Sequence, residues 1–419
     1  MIVKKLIEKI EGEAELDFTF DDGVISDVGI NFSFYRGIED ILIGKDFRDA
    51  LIITPRVCGI CNHAHLIASV RAIEDAYKNG GIEINLSNKA KDIREFTLSC
   101  ELIQNHIKWL YLTMLPHLEK YLDKTSQENY PLKASYVSST INKALAIFGG
   151  QWPHSSYAVV GGVTCDPTYV EVLQAQGLID ETIAFFTKEL TSLSLNEYLK
   201  LEDISLIQGD FGKLISLLND IGDIGIGYDR FISFEDGVYE NNKLYKVNIY
   251  DVLEKPQEKT LAKEVKYRDK FYEVGSLARG IITKDRLVKK IHKEHKDSIF
   301  SRVFARINEI AKLLDKTKKI LNRLDLNEPS CVTQNIIRLG DFEGVGVVEA
   351  ARGSLIHKIN FSKGIITNYE IITPTQWNLS HGTKEEQGIA IKAMIGSKSI
   401  EEATLIFRSF DVCSVCTTQ

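Results

Sequence analysis

The 419-residue chain carries 51 basic and 58 acidic side chains, a net charge of −7, with 44% hydrophobic and 26% charged residues. That composition excludes collagen-like, low-complexity and disordered classes, and ~150 residues per domain predicts two or three structural units around a large core. The mild acidic excess argues against a nucleic-acid binder, and no apolar run of about 18 residues is present, so neither a direct membrane span nor an export signal is expected.

Leu16, Phe18 and Phe20 alternate with polar residues, Asp22-Gly23 supplies a turn, and Val28, Ile30, Phe32 and Phe34 resume the alternation. A hairpin is therefore expected from Ala14 to Phe34. Cys58 and Cys61 stand just ahead of a helical pattern of Leu66, Ile67, Val70, Ile73, Ala76 and Tyr77, which Gly80-Gly81 ends. A long helix is expected from a Ser87 cap to about Lys124, written by Ile93, Phe96, Cys100, Ile103, Ile107, Leu110 and Met114. Further helices are expected from about Thr168 to Leu201 and from Lys284 to Leu324, with mixed strand and loop over 204–280. A second hairpin around Lys363-Gly364 spans 355–372, and a final helix runs from Lys384 to about Gly396.

The fold class read from this order is α+β and multidomain, a central long-helix bundle with flanking β-hairpins. Its regions are an N-terminal hairpin region (1–55), a first cysteine motif with a helical body (56–203), a mixed α/β insertion (204–283), and a last region with helices, second hairpin and C-terminal cysteine motif (284–419). The four are expected to form one integrated unit.

Seven cysteines are too few for a disulfide scaffold, so reduced thiols and a cytoplasmic setting are expected. Four of them form two C-x-x-C pairs, Cys58 with Cys61 and Cys413 with Cys416. Thiolates are soft ligands suited to zinc, iron-sulfur clusters, copper(I) and nickel, and each pair places two sulfurs close enough to share one metal. The helix start after Cys61 favours the thiolate form. A structural zinc ribbon is the competing reading, but ribbons close short loops, whereas these pairs stand at opposite ends of the chain. A thioredoxin-like redox pair lacks its βαβ context. Cys100 falls on an apolar helix face, and Cys165 and Cys331 show no metal spacing, so all three are read as structural. Lys289 to Lys296, with His292 and His295, reads as a solvated helix face.

The stretch Arg56-Val57-Cys58-Gly59-Ile60-Cys61-Asn62-His63-Ala64-His65 resembles the first cysteine motif of the large subunit of nickel-iron hydrogenases, and Asp411-Val412-Cys413-Ser414-Val415-Cys416 resembles the second. Other stretches agree in family order: Lys9-Ile10-Glu11-Gly12, Arg36-Gly37-Ile38-Glu39, Gln151-Trp152-Pro153-His154, Gly161-Gly162-Val163, Gly275 to Arg279, Ala351-Arg352-Gly353 and Thr373 to Asn378.

By that resemblance Cys58 and Cys413 are terminal nickel ligands, and Cys61 and Cys416 bridge nickel to an iron carrying carbon monoxide and cyanide. His65 resembles the histidine that hydrogen-bonds a bridging sulfur, while His63 points elsewhere by helical angle and reads as a surface or satisfied polar residue. Arg352 resembles the arginine suspended above the metals, with Asp411 as the carboxylate beside it. Thr375 and the backbone at Thr373 match the segment that binds a cyanide ligand. Glu11 matches the glutamate that takes the proton from a cysteine sulfur. Glu39, the Ile371 carbonyl and the Gln419 amide match a magnesium site.

The chain departs from the family pattern at Val412 and Ala351, where proline is usual, at Asn105, where an aspartate is common, and at Gln419, where many members have histidine. The implied activity is H2 ⇌ 2H+ + 2e−. With no cysteines left in cluster-binding patterns, the implied partner is an iron-sulfur small subunit, within a higher oligomer of heterodimers matured by dedicated proteins. The resemblance leans toward cytosolic uptake or hydrogen-sensing members. A regulatory sensor with the same metal site and signalling output is the alternative. The related quinone-site subunit of respiratory complexes lacks the four cysteines.

Overall fold

In the computed structural model, which describes residues 2–10, 12–32, 35–124, 126–234, 247–257, 260–334 and 339–413, the expected N-terminal hairpin is the second and third strands of a three-stranded antiparallel sheet. Its strands are β1 (Ile2–Ile10), β2 (Gly12–Asp21) and β3 (Val24–Asn31) in sequential order. Leu16 and Phe18 of β2, with Ile25, Val28 and Ile30 of β3, point into the core. Phe34 lies outside the described residues. The first strand escaped sequence reasoning because its aliphatics alternate with charges that sit on an exposed outer strand, as in the Lys4–Glu15 pair.

Helix α1 (Asn62–Asn79) follows the first cysteine pair. Helix α2 (Asn88–Trp109) is capped by Ser87, whose hydroxyl accepts the Ala90 N–H at 3.0 Å. It continues through a π-turn, Leu110–Met114, into Leu115–Tyr121. The wider turn coincides with Pro116, which has no N–H to complete the α-helical ladder, and Leu115 N–H bonds Leu110 O.

Helix α3 (Tyr130–Gly149) was not anticipated, since Ser138-Ser139-Thr140 has weak helix propensity. Packing overrides propensity there, because α3 is sandwiched between α2 and α4 (Tyr169–Phe185). The expected 168–201 helix ends at Ser192, where φ is 57°. The 284–324 helix is likewise two, Arg286–His295 and α5 (Ile299–Arg323), separated by Lys296 at φ 52°. Region 204–280 also holds a helix, Gly209–Ile221, beside the strand pair Val252–Lys255 and Glu264–Tyr267. Helices α2, α3, α4 and α5 make the central bundle.

A second antiparallel sheet consists of β4 (Asp341–Ala350), β5 (Gly353–Ser362) and β6 (Ile365–Ile372), with β5 in the middle. The β5–β6 hairpin turns at Lys363-Gly364, both with positive φ, as a two-residue loop in a right-twisted hairpin requires. The final helix expected at 384–396 is only Ile389–Met394, and a further helix α6 (Ile400–Ser409) leads to the second cysteine pair.

Helix α1 lies directly on β4. Ala68, Ala72 and Ala76 form a small stripe at helical spacing, and opposite them a side-chain carbon on Gly346 would come within 1.9 Å of Ala68 O, and one on Gly344 within 2.2 Å of Ala76 N. This backbone-to-backbone approach sets the first cysteine motif against the turn that bears Arg352. Among the described residues no helix is long and apolar enough to cross a membrane.

Candidate metal centre

The loop carrying Cys58 and Cys61 is held from two sides. Arg36 donates to the carbonyls of Val57 and, at 3.1 Å, Arg56. Gln104 and Asn105 of α2 donate to Ile60 O at 3.1 and 2.7 Å. Cys61 is the N-cap of α1. From the other end of the chain, Cys413 arrives after α6 through a turn in which Asp411 is left-handed, with φ 53°. Its N–H donates to Thr375 Oγ1 at 3.4 Å.

The structure brings Cys58 Sγ and Cys413 Sγ to 3.7 Å across 355 residues of sequence. Both residues are buried, as is Cys61. Cys416, Gln419 and Glu11 lie outside the described residues. Among the described residues no group of three or more His, Cys, Asp and Glu side chains converges as a metal cluster.

Arg352, in the β4–β5 turn, donates through Nε to Asp411 O at 2.7 Å and through Nη2 to Asp411 Oδ1 at 3.2 Å, while Nη1 reaches Asn105 Oδ1 at 3.5 Å. Burial opposes its charge, but Asp411 and then the thiols of Cys413, Cys61 and Cys58 outweigh it, so its pKa stands well above the ordinary value. The guanidinium is thus near enough to the three sulfurs to interact with them electrostatically. A cavity of about 930 Å³, lined by Ile60, Asn105, Trp109, Arg352 and Asp411 among others, reaches this roof.

His65 is buried and its imidazole lies 3.0 Å from His357 Nε2, which continues through His357 Nδ1 to Tyr369 OH at 2.8 Å and on to Ser69 Oγ at 3.0 Å. The donor and acceptor roles along this relay are set by the tautomers of the two rings, and a His65 Nδ1 that accepts from His357 leaves an Nε2–H free to donate. Burial lowers the His65 pKa to about 4 and keeps the ring neutral.

His63 is not at the surface. It is fully buried between Trp152 and Tyr157, with ring centroids 5.1 and 5.3 Å away. Its Nδ1 pairs with Asn62 Oδ1 at 3.0 Å, while Nε2 has no hydrogen-bond partner among the described residues. The helical angle placed it away from the sulfurs but said nothing of the Gln151–His154 segment that folds over it.

Thr373 N–H donates to Gln376 Oε1 at 2.8 Å, and its buried hydroxyl has no partner among the described residues. Glu39 accepts Ile371 N–H at 2.6 Å, and both its oxygens are taken by Lys263 Nζ, at 2.8 and 2.9 Å. It is thus the amide of Ile371, on the outer edge of β6, that meets this carboxylate. Cys100 is buried, as its helix face indicated, whereas Cys331 is exposed. His292 and His295 pair with Asp229 and Asp223, both at 2.7 Å.

Sequence reasoning missed Glu101, Arg306, His357 and Tyr369. Arg306 interrupts an apolar face formed by Val303, Phe304, Ile307 and Ile310, and His357 stands between Leu355 and Ile359 on one face of a strand. A polar residue at an inward position was the available signal.

The model of the family described as nickel-dependent hydrogenase matches residues 36–135 and 236–419. The chain is 26% identical to the periplasmic [NiFeSe] hydrogenase large subunit of Desulfomicrobium baculatum, over 93% of this chain and 88% of that one. It is 25% identical to sulfhydrogenase 1 subunit alpha of Pyrococcus furiosus, over 98% and 96%. Its fold is that of the Ni-Fe-Se hydrogenase from D. vulgaris Hildenborough in the as-isolated oxidized state, with a TM-score of 0.84, 21% identity and complete coverage of both chains. The reduced, active Desulfomicrobium baculatum enzyme gives 0.82 at 24% identity, again over both whole chains. A sulfur pair assembled from the two ends of the chain under a buried arginine, in a polypeptide matched along both ends by one family, leads to one conclusion: the chain belongs to the nickel-dependent hydrogenases, as a large, catalytic subunit.

Proposed function

We propose that this subunit catalyses the reversible heterolytic cleavage of H2 into two protons and two electrons at a nickel–iron centre held by Cys58, Cys61, Cys413 and Cys416. The observation that carries the reading is the 3.7 Å separation of Cys58 Sγ and Cys413 Sγ. Two thiolates bound to one metal at about 2.3 Å in tetrahedral directions stand ~3.8 Å apart, so the pair fits a shared ion. These four thiolates would hold the two metals between them, one C-x-x-C pair from each end of the chain. The centre, with carbon monoxide and cyanide on iron, supplies the Lewis acidity and redox capacity of the reaction.

The chain's own residues prepare the site. Arg352 presents a permanent cation and hydrogen-bond donors toward the sulfurs, held in place by Asp411. The buried hydroxyls of Thr373 and Thr375 offer polar contacts for cyanide in an otherwise apolar wall. His65, held by His357, orients a ring nitrogen for a bridging sulfur, and Glu11 receives the proton released from a cysteine thiol. Glu39, with Ile371 and Gln419, is proposed to hold magnesium, in which case Lys263 must yield one or both carboxylate oxygens. Electrons pass to a separate iron-sulfur small subunit in a cytoplasmic heterodimer that assembles into higher oligomers.

The test is elemental analysis and infrared spectroscopy of the purified complex. Nickel and iron near one each per large subunit, beyond the partner's cluster iron, with bands from metal-bound carbon monoxide and cyanide, are expected. Zinc alone and a silent infrared region overturn the reading. Turnover with an artificial electron acceptor distinguishes an enzyme from a sensor that signals through a partner.

A further inference from the structure

Asp411 is the hinge of the turn that carries Cys413 inward. A non-glycine residue keeps its left-handed backbone only where the surroundings hold it, and the next residue, Val412, does not lock the path as proline does. Two guanidinium groups grip the Asp411 carboxylate from different oxygens. Arg352 takes Oδ1 and the backbone carbonyl, and Arg306 takes Oδ2.

Arg306 comes from the middle of α5, is 4% exposed, and its guanidinium lies 4.6 Å from the ring centroid of Trp109. The Trp109 indole N–H is itself fixed to Arg408 O at 3.1 Å. The neighbouring carboxylate on the same helix, Glu309, is already committed to Arg279, Ser276 and His106. Asp411 is thus the carboxylate that Arg306 contacts directly. Two cations sharing one anion leave the roof above the thiolates with a net positive charge.

We propose that Arg306 is a positioning residue for the sulfur site. By holding Oδ2 of Asp411 it sets the turn that brings Cys413 against Cys58, and it keeps Arg352 from being neutralised by Asp411 alone. This rests on the metal reading above. A merely structural ion pair would lower stability when removed and leave metal retention unchanged. Arg94 of α2 supplies the control: it is 6% exposed and makes a two-pronged pair with Glu74 at 3.1 and 2.8 Å.

The test uses the full chain in complex with its iron-sulfur partner, as wild type, R306M, R306K and R94M. Nickel and iron contents are measured in the folded fraction, with the infrared bands of the iron ligands. R306M is expected to retain nickel about 10-fold more weakly and to shift the bands to lower frequency, as a positive charge is lost nearby. R306K, which keeps the charge, recovers most of both, and R94M keeps wild-type nickel despite reduced stability. If R306M does not accumulate, R306Q serves with the same expectation. Wild-type nickel and unshifted bands in R306M or R306Q overturn the proposal, as does an equal nickel loss in R94M. A wild-type complex with neither metal beyond the partner's iron overturns the reading of the site itself.

Discussion

The carboxylate of Glu101 on α2 receives the backbone N–H groups of His63 at 2.7 Å and Ala64 at 2.9 Å, so one helix caps the first turn of another. Those two N–H groups are among the donors that a helix N-terminus leaves without internal partners. Because the same turn begins at Cys61, the cap also fixes the cysteine motif. The E101A variant leaves two buried donors unpaired and is expected to lose about 3 kcal/mol of folding free energy, with E101Q losing roughly half of that. Urea unfolding of the metal-free chain measures it, and a loss below ~0.5 kcal/mol in E101A would remove the cap from the account.

Backbone contact between α1 and β4 leaves no room for a methyl group. G346A would put a carbon 1.9 Å from Ala68 O and 2.5 Å from Ala72 N, so the variant is expected either not to fold or to be destabilised by more than ~3 kcal/mol. Gly177, exposed within α4 and with open space where its side chain would begin, is the opposite case. G177A is expected to stabilise by roughly 0.5–1 kcal/mol, through helix propensity. Comparative denaturation of both variants checks the pair.

Arg352 holds Asp411 at two points with a planar fork that an ammonium group cannot reproduce. R352K keeps the charge and loses the simultaneous contacts with the carboxylate and the backbone carbonyl. The expected outcome is unchanged nickel and iron with turnover reduced by about 100-fold, measured as hydrogen oxidation with an artificial acceptor. Full activity in R352K would show that charge alone suffices.

Four buried histidines, His63, His65, His106 and His357, push the pH response of the fold in one direction. Burial lowers His65 and His106 to about 4, His63 to about 3 and His357 well below its ordinary value; at His106 the Glu309 carboxylate opposes the shift only in part, and burial raises the Glu101 carboxyl to about 8, which acts in the opposite sense and reduces the net slope. Between the lowered histidine values and the free imidazole's ~6.5 the unfolded rings bind more protons than the folded ones, so their contribution to stability rises with pH there. It is intact above about 6.5 and is lost as the pH falls toward 4, by up to roughly 3 kcal/mol for a shift of this size. Urea midpoints from pH 7 to 5 should fall, and H106Q, with no titrating ring, should flatten the slope.

Much of this architecture is written locally. The Ser87 cap, the Asp22-Gly23 turn and the apolar spacing after Cys61 specify their elements through contacts within a few residues, and the structure contains each of them. The breaks at Ser192 and Lys296 were invisible because apolar spacing continues through them while the backbone turns left-handed. Helix α3 was hidden for the converse reason, since its Ser and Thr residues disfavour a helix that tertiary packing then enforces.

The division at the site has the same origin. Residue chemistry alone determined that two soft-ligand pairs exist, at the two ends of the chain, and the family resemblance added that Arg352 and Asp411 accompany them. Only the tertiary structure decided that Cys58 meets Cys413, that Arg306 shares Asp411 with Arg352, and that His357 backs His65. Those relations join segments from 59 to 355 residues apart, through helices and strands whose mutual approach is set by packing volume, and packing volume has no signature in a local pattern.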